Sequence, residues 1–304
     1  MGAGSVWVGV QEEGDPGALV RIDLATSRVV AEVPVADSPA RKQIAATDHA
    51  VWVGGDGAIE RIDPATDVVV QRVQLPGRYI SALTADDTAV WAIAVDRSSA
   101  STLIRIDATT DAVVAEIPLE AGIAGYEDQV LLASGSVWVL GVTWIEEENA
   151  EYGSDLIRVD PDSNEIVARI DVDGFHMAAG DGEIWVEFPA DGVFDSYDER
   201  WRWAKVDVDN NQPSEPFTFD SRGLEIVSPD ALWSVGYDEN DYVRITRFDP
   251  DLLTKEAESA PIRSYYHDAI ADPSSGSVWV STQEGVVRVD INKGPNPDAA
   301  TTTP

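Results

Sequence analysis

Ala50-Val-Trp-Val-Gly54, followed by Ala58-Ile-Glu-Arg-Ile-Asp63 and then Val68-Val-Val-Gln-Arg-Val-Gln-Leu75, is one copy of a unit that runs the length of the chain. Its tryptophan recurs as Trp7, Trp52, Trp91, Trp138, Trp185, Trp233 and Trp279. The aspartate closing the Arg-Ile-Asp segment recurs as Asp23, Asp63, Asp107, Asp160, Asp207, Asp249 and Asp290. With the short run Gln43-Ile-Ala-Ala46 ahead of it, each unit holds four brief segments rich in β-branched residues, which favour a pleated, half-buried surface. We label these strands A to D. A period of about 40 to 50 residues built from short strands is the mark of a β-propeller. The expected fold is therefore all-β, a seven-bladed β-propeller of four-stranded antiparallel blades.

The roles of the segments follow from their residues. Small residues in strand A, as in Met177-Ala-Ala179, suit crowding near an axis. The strand B tryptophan fills the space between sheets. Asp63-Pro-Ala-Thr66, Asp160-Pro-Asp-Ser163 and Asp249-Pro-Asp251 read as turns in which the carboxylate bonds backbone N–H groups just ahead and proline sets φ. Strands B and C occur seven times but A and D six, so the first and last blades are expected to be incomplete, with a weak seam between them. Either a strand lies ahead of Met1 in a longer protein or the two end blades meet as an incomplete pair. We place the ring in residues 1–293 and a Thr/Pro tail or linker in 294–304.

Charge narrows the partners. Fifty-five acidic against 21 basic residues give a formal net charge of −34, which repels phosphate backbones and anionic lipid. Nucleic acid and membrane insertion are thus not expected, while a small molecule, a glycan or a protein or peptide ligand is. No cysteine is present, which removes disulfides, thiol nucleophiles and thiolate metal ligands. A monomer is expected. The Thr-rich tail suggests a domain of a larger extracytoplasmic or cell-surface protein, although no targeting segment stands in the sequence.

Gly4-Ser-Val-Trp-Val8, Arg21-Ile-Asp23 and Arg28-Val-Val-Ala-Glu-Val-Pro-Val35 resemble the YVTN and virginiamycin B lyase-like group of propellers, over nearly the whole chain. That group includes surface proteins and sensor domains as well as lyases. The resemblance implies, for its lyases, seven blades, a bound magnesium ion and opening of a cyclic depsipeptide by elimination at an ester. Their reactive blades pair a His opening strand A with a Glu ending strand B. The nearest counterparts here are His267 with Val278-Trp-Val-Ser-Thr282, and His176 with Ile184-Trp-Val-Glu-Phe188. In the first pair Thr282 holds the acid position and Glu284 follows two residues on. In the second Phe188 holds it and Glu187 comes one residue early, on the opposite face of the strand from the acid it would replace. His267, His176, Glu284 and Glu187 are the catalytic candidates.

A ligand is expected where the D-to-A and B-to-C connections collect, because loops there are longest in blades 4 to 6. Aromatic rings and arginines on those connections are Arg78, Tyr79, Tyr126, Trp144, Trp201, Arg222, Tyr237, Tyr265 and Tyr266. Rings interleaved with carboxylates suit sugars and cations. Glu225 and Asp268 are the candidate metal residues at inner strand ends. No cofactor is predicted, with magnesium or calcium as the open alternatives. Asp160-Pro-Asp-Ser-Asn164 and Asp207-Val-Asp-Asn-Asn211 open like calcium loops but lack the glycine at the sixth position and the glutamate at the twelfth, so they read as turns. His49 reads as a turn residue. The leading expectation is a non-enzymatic ligand- or protein-binding sensor or scaffold module. A magnesium-dependent lyase and a structural spacer are the alternatives.

Overall fold

The structure is a computed structural model that describes residues 1–10, 17–36, 43–119, 129–145, 151–172, 174–180, 182–189, 201–219, 226–228, 231–238, 240–272, 276–290 and 301–302. It divides into two compact units, Met1–Gly174 and Phe175–Pro304. Every regular element among the described residues is a β-strand.

In the first unit, β1 (Ser5–Val10), β2 (Ala18–Asp23) and β3 (Arg28–Pro34) form a three-stranded meander. The second sheet has seven strands: β4 (Ile44–Ala46), β5 (Val51–Gly54), β6 (Asp56–Asp63), β7 (Val68–Ala85), β8 (Ala89–Asp96), β9 (Ser101–Asp107) and β10 (Val113–Pro118). The third is β11 (Gln129–Ala133), β12 (Ser136–Ile145), β13 (Glu151–Asp160) and β14 (Glu165–Asp171). All neighbours are antiparallel. The seven-stranded sheet departs from the expected four-stranded blades for a local reason. Outer strand D of one repeat and inner strand A of the next are here one continuous strand, β7. Its first part, Val68–Gln74, pairs with β6, and its last part, Arg78–Ala85, pairs with β8, with Tyr79 lying opposite both Asp56 of β6 and Val95 of β8. Gly77, at φ 77°, lies where the strand passes from one partner to the other.

The second unit holds three four-stranded meanders: β15 (His176–Gly180), β16 (Glu183–Pro189), β17 (Trp201–Asp207) and β18 (Gln212–Pro213); β19 (Ile226–Ser228), β20 (Ala231–Tyr237), β21 (Val243–Phe248) and β22 (Lys255–Glu258); and β23 (Tyr266–Asp272), β24 (Ser277–Thr282), β25 (Gly285–Asp290) and β26 (Thr301–Thr302). Two residues of the tail thus lie along β25, Thr301 opposite Val287 and Thr302 opposite Val286.

One packing rule repeats within each unit. The sheet face that carries the tryptophan stacks on the opposite face of the following repeat, so that the tryptophan meets the residues flanking the next tryptophan. Trp7 and Leu19 pack on Val51 and Val53, Trp52 on Val90 and Ala92, and Trp91 on Val137 and Val139. In the second unit Trp185 packs on Leu232, and Trp233 on Val278 and Val280. Burying such a side chain stabilises the fold by about 2 to 3 kcal/mol. Strands buried on both faces read as continuous apolar runs, which is why β8 is Ala89-Val-Trp-Ala-Ile-Ala-Val95.

A cation covers each of the seven tryptophans. The residue opposite it on the next strand is Arg21, Arg61, Arg105, Arg158, Lys205, Arg247 or Arg288, with the charged group 4.4 to 5.7 Å from the ring centroid. In the first unit these arginines also reach forward into the following repeat. Arg21 donates to Asp67 Oδ1 (2.9 Å), Arg61 to Asp111 Oδ1 (3.2 Å) and Arg105 to Asn164 Oδ1 (2.9 Å). Those acceptors sit at the left-handed residue of each C-to-D turn, with φ of 55°, 59° and 59°, a conformation Asp and Asn tolerate better than most residues. The aspartates that open these turns cap them as the sequence suggests: Asp107 Oδ1 accepts from the Thr109 and Thr110 N–H groups, and Asp160 Oδ1 from Asp162 N–H. Asp207 Oδ1 accepts from Asp209 N–H in the same way. Both calcium-loop look-alikes are therefore occupied as turn caps.

Candidate functional site

In the second unit, β15 and β16 place His176 directly opposite Glu187, and β17 places Trp203 opposite Glu187 on its other side. Residues opposite one another in an antiparallel pair share a face. The row is therefore imidazole, carboxylate, indole. His176 is half-buried, Glu187 is 5% exposed and Trp203 is fully buried. The backbone locks this end of the strand pair, since Phe175 N–H donates to the Glu187 carbonyl at 2.7 Å. Two residues beyond Trp203, Trp201 is half-buried, and its ring lies 6.2 Å from that of Phe175, tilted by 34°. Two aromatic rings thus stand beside a buried carboxylate and an imidazole. The resemblance set His176 against the strand that carries Glu187, with Glu187 one residue out of place and Trp201 apart as a loop aromatic; the pairing register puts Glu187 directly opposite His176 and brings Trp201 to the same end of the sheet. Phe175 was missed, although its place beside His176 is the signal that would have found it.

The two histidines are not equivalent, contrary to the sequence expectation. In β23 the pairing passes from Tyr266 opposite Thr282 to Asp268 opposite Ser281, so His267 sits at a bulge. Counting from the tryptophan of strand B, His176 lies opposite the second residue on, and in the last sheet that place belongs to Asp268. A bulge inserts one extra residue and shifts everything beyond it, which no spacing argument anticipates. Glu284 lies in the tight turn between β24 and β25, exposed, its N–H held by Thr282 Oγ1 at 3.2 Å. It is a turn residue rather than the strand-borne acid that the resemblance implies.

A second aromatic group forms where β20 leads towards β21. Tyr237 and Tyr265 are 37% and 63% exposed, and their rings meet edge to face with centroids 6.1 Å apart. The β20–β21 turn beside them is pinned by Asp238, whose carboxylate accepts from Asn240 N–H (2.8 Å), Tyr242 N–H (3.1 Å) and Arg244 Nε (2.8 Å). The Arg244 hydrogen bond first, then those backbone donors, hold the Asp238 carboxyl below the usual carboxylate range. Arg263 lies 5.1 Å over the Tyr242 ring. Arg244, Tyr242 and Arg263 were not singled out from the sequence.

In the first unit, Tyr79 is 44% exposed and Arg78 makes an ion pair with Glu116 at 2.8 Å. Trp144, Tyr266, His267 and Asp268 have described backbones only, in β12 and β23. Tyr126, Arg222 and Glu225 lie outside the described residues. Among the described residues no three His, Cys, Asp or Glu side chains come together as an ion-binding group. His176 and Glu187 supply one carboxylate and one imidazole, and the imidazole nitrogen is not one of the oxygen donors that magnesium takes.

No family model matches the chain, and no curated protein matches it. Solved structures do. It is similar to Kuenenia stuttgartiensis hydrazine synthase, with a TM-score of 0.68 at 11% identity over 95% of this chain and 93% of that one. It is similar to the Neurospora crassa Pan2 WD40 domain, with a TM-score of 0.64 at 11% identity over 91% and 82%. Dihydro-heme d1 dehydrogenase NirN matches with a TM-score of 0.59 at 17% identity, over 95% of this chain and 62% of that one. At such identities the likeness establishes the fold alone, and that fold is a β-propeller.

Proposed function

We propose that this β-propeller is a ligand-binding module, with recognition at the strand ends that carry Tyr237, Tyr265, Phe175 and Trp201. The observation that carries the reading is the Tyr237–Tyr265 pair. Two large rings from separate connections are held in contact while both stay substantially exposed; the core gains little from that arrangement, and a ligand with a flat or cationic face gains much. The finer architecture we propose is seven blades of the YVTN and virginiamycin B lyase-like type, supported by seven cation-capped tryptophans. The ligand classes that fit are neutral glycans and basic peptides, the latter favoured by a net charge of −34. Arrays of glycans and of basic peptides, probed with the native chain and with Tyr237→Ala and Tyr265→Ala, test this. Retention that falls in both variants supports it. Retention unchanged in both, or nothing retained by the native chain, refutes it.

One observation favours a second reading. The cross-strand His176–Glu187 pair provides a base and a buried acid to orient it, the minimum for abstracting a proton beside an ester. In that reading His176→Ala abolishes turnover of a cyclic depsipeptide of the virginiamycin B type, while Tyr265→Ala leaves it intact. Ester opening that persists in His176→Ala rules it out.

A further inference from the structure

We propose that the ligand of the Tyr237–Tyr265 platform is a neutral oligosaccharide rather than a basic peptide, and that Arg263 supplies the hydrogen bonds that fix the sugar; this rests on the reading of the tyrosine pair as the binding surface. Among the described residues of the second unit, Lys205, Arg244, Arg247, Lys255 and Arg288 are each ion-paired with a carboxylate. Arg263 is different. It is exposed and makes no ion pair among the described residues, in a chain where 55 acidic residues face 21 basic ones. Its guanidinium instead lies 5.1 Å over the Tyr242 ring. Such a contact orients the planar fork and leaves its N–H donors open to a ligand.

Backbone hydrogen bonds tie this cation to the tyrosines. Arg263 and Tyr265 stand two residues apart on the segment from β22 to β23, where Ser259–Tyr265 holds no other charge. Ile262 exchanges both backbone hydrogen bonds with Val243, each 3.0 Å, and Val243 lies opposite Tyr237. The segment is thereby fastened to the strand pair that carries Tyr237 and Tyr242. Gln283 N–H donates to the Tyr265 carbonyl at 3.1 Å, which places the exposed Glu284 one residue from that bond. Asp241, also exposed, precedes Tyr242. Asp238, by contrast, is already taken up by Arg244 and by the turn.

Rings, an unpaired donor and exposed carboxylates form a mixed set, and the mixture selects. Each sugar hydroxyl both donates and accepts. Hydroxyls on adjacent carbons can accept from the planar fork while others donate to Glu284 or Asp241, and the apolar face of the sugar lies on Tyr265. A lysine or arginine side chain can use only the carboxylates, and it meets Arg263 as a like charge. The net charge of −34 draws cations from a distance. Its reach is about 8 Å at physiological salt, however, and at contact the nearest fixed charges decide.

The test uses the full chain on an array of neutral oligosaccharides of glucose, galactose and mannose, followed by titration calorimetry with the best-retained sugar. An acetylated, amidated peptide of alternating lysine and glycine is the basic probe. The native chain binds the sugar more tightly than the peptide. Arg263→Ala weakens the sugar about tenfold, as expected for the loss of a hydrogen-bonded charge. Arg263→Lys keeps a cation over Tyr242 but not the fork, and it also binds the sugar more weakly than the native chain does. Tyr265→Ala weakens whichever probe binds. The sugar assignment alone is overturned if Tyr265→Ala weakens binding while either Arg263 variant binds the sugar as the native chain does, or if the native chain prefers the peptide. Binding that Tyr265→Ala leaves intact, or no binding of any probe, overturns the tyrosine platform and the sugar assignment with it.

Discussion

His176 and Glu187 face each other across the β15–β16 pair, and Glu187 is 5% exposed at a strand position that other repeats fill with Gly54, Ile93, Leu140 or Val235. An ionisable side chain standing where the repeat otherwise places apolar or small residues needs compensation for its lost hydration, and such exceptions concentrate at functional sites.

This exception makes a stability prediction. Glu187→Ala leaves the half-buried imidazole opposite a cavity and costs about 2 kcal/mol. The double change His176→Ala with Glu187→Ile recreates the pair found at Ala82 and Ile93 and is at least as stable as the native chain. Urea denaturation of the three proteins checks both. A double variant less stable than the single one would show that the pair is structural.

Arg105 ties two repeats together, lying 5.1 Å over Trp91 and donating to Asn164 at 2.9 Å. Arg105→Ala removes the cation–π contact and a charged hydrogen bond, together worth about 2 kcal/mol. Arg105→Lys keeps the first and forfeits the second, since one ammonium cannot span ring and turn. The expected order of thermal midpoints is native, then lysine, then alanine. Equal midpoints for lysine and native would remove the forward tie from the account.

Acid weakens the turns. Hydrogen bonds from the Thr110 backbone and hydroxyl hold Asp107 below its ordinary value of 3.8; those from the Thr26 hydroxyl and backbone do so for Asp23, and those from Ser98 and Ala100 for Asp96. A carboxyl whose folded pKa is depressed contributes its stability above the unfolded value, and that contribution fades as pH falls through the folded one. Stability therefore drops below pH 3.8, and Asp107→Asn, already uncharged, loses less over that range. Thermal midpoints recorded between neutral and strongly acid pH read this directly, and identical acid limbs for the two proteins would contradict it.

Salt acts in the opposite sense to its effect on an ion-paired surface. With 55 acidic and 21 basic residues, self-repulsion outweighs the exposed ion pairs, which are each worth little. Raising salt from about 10 mM to about 150 mM shortens the screening length from about 30 Å to about 8 Å. The thermal midpoint accordingly rises with sodium chloride. A fall would show that attractive pairs dominate.

Much of this was legible in the residues because its causes are local. Alternating β-branched runs, a tryptophan every 39 to 48 residues and an Asp-capped turn after each third strand are short-range statements. The strands and turn caps appear where those signals put them. The tyrosines were recognisable as exposed loop aromatics, yet nothing in the spacing between Tyr237 and Tyr265 shows that their rings touch.

The amino-acid order alone determined an all-β repeat whose tryptophans are buried and whose aspartates cap turns, since periodicity of two and turn chemistry act over a few residues. Only the tertiary structure decided that Glu187 lies directly opposite His176, that a bulge takes His267 out of the corresponding place and that β7 serves two meanders. Those outcomes depend on pairing register and on which strand lies next to which, and a one-residue shift in either changes the face on which a side chain appears.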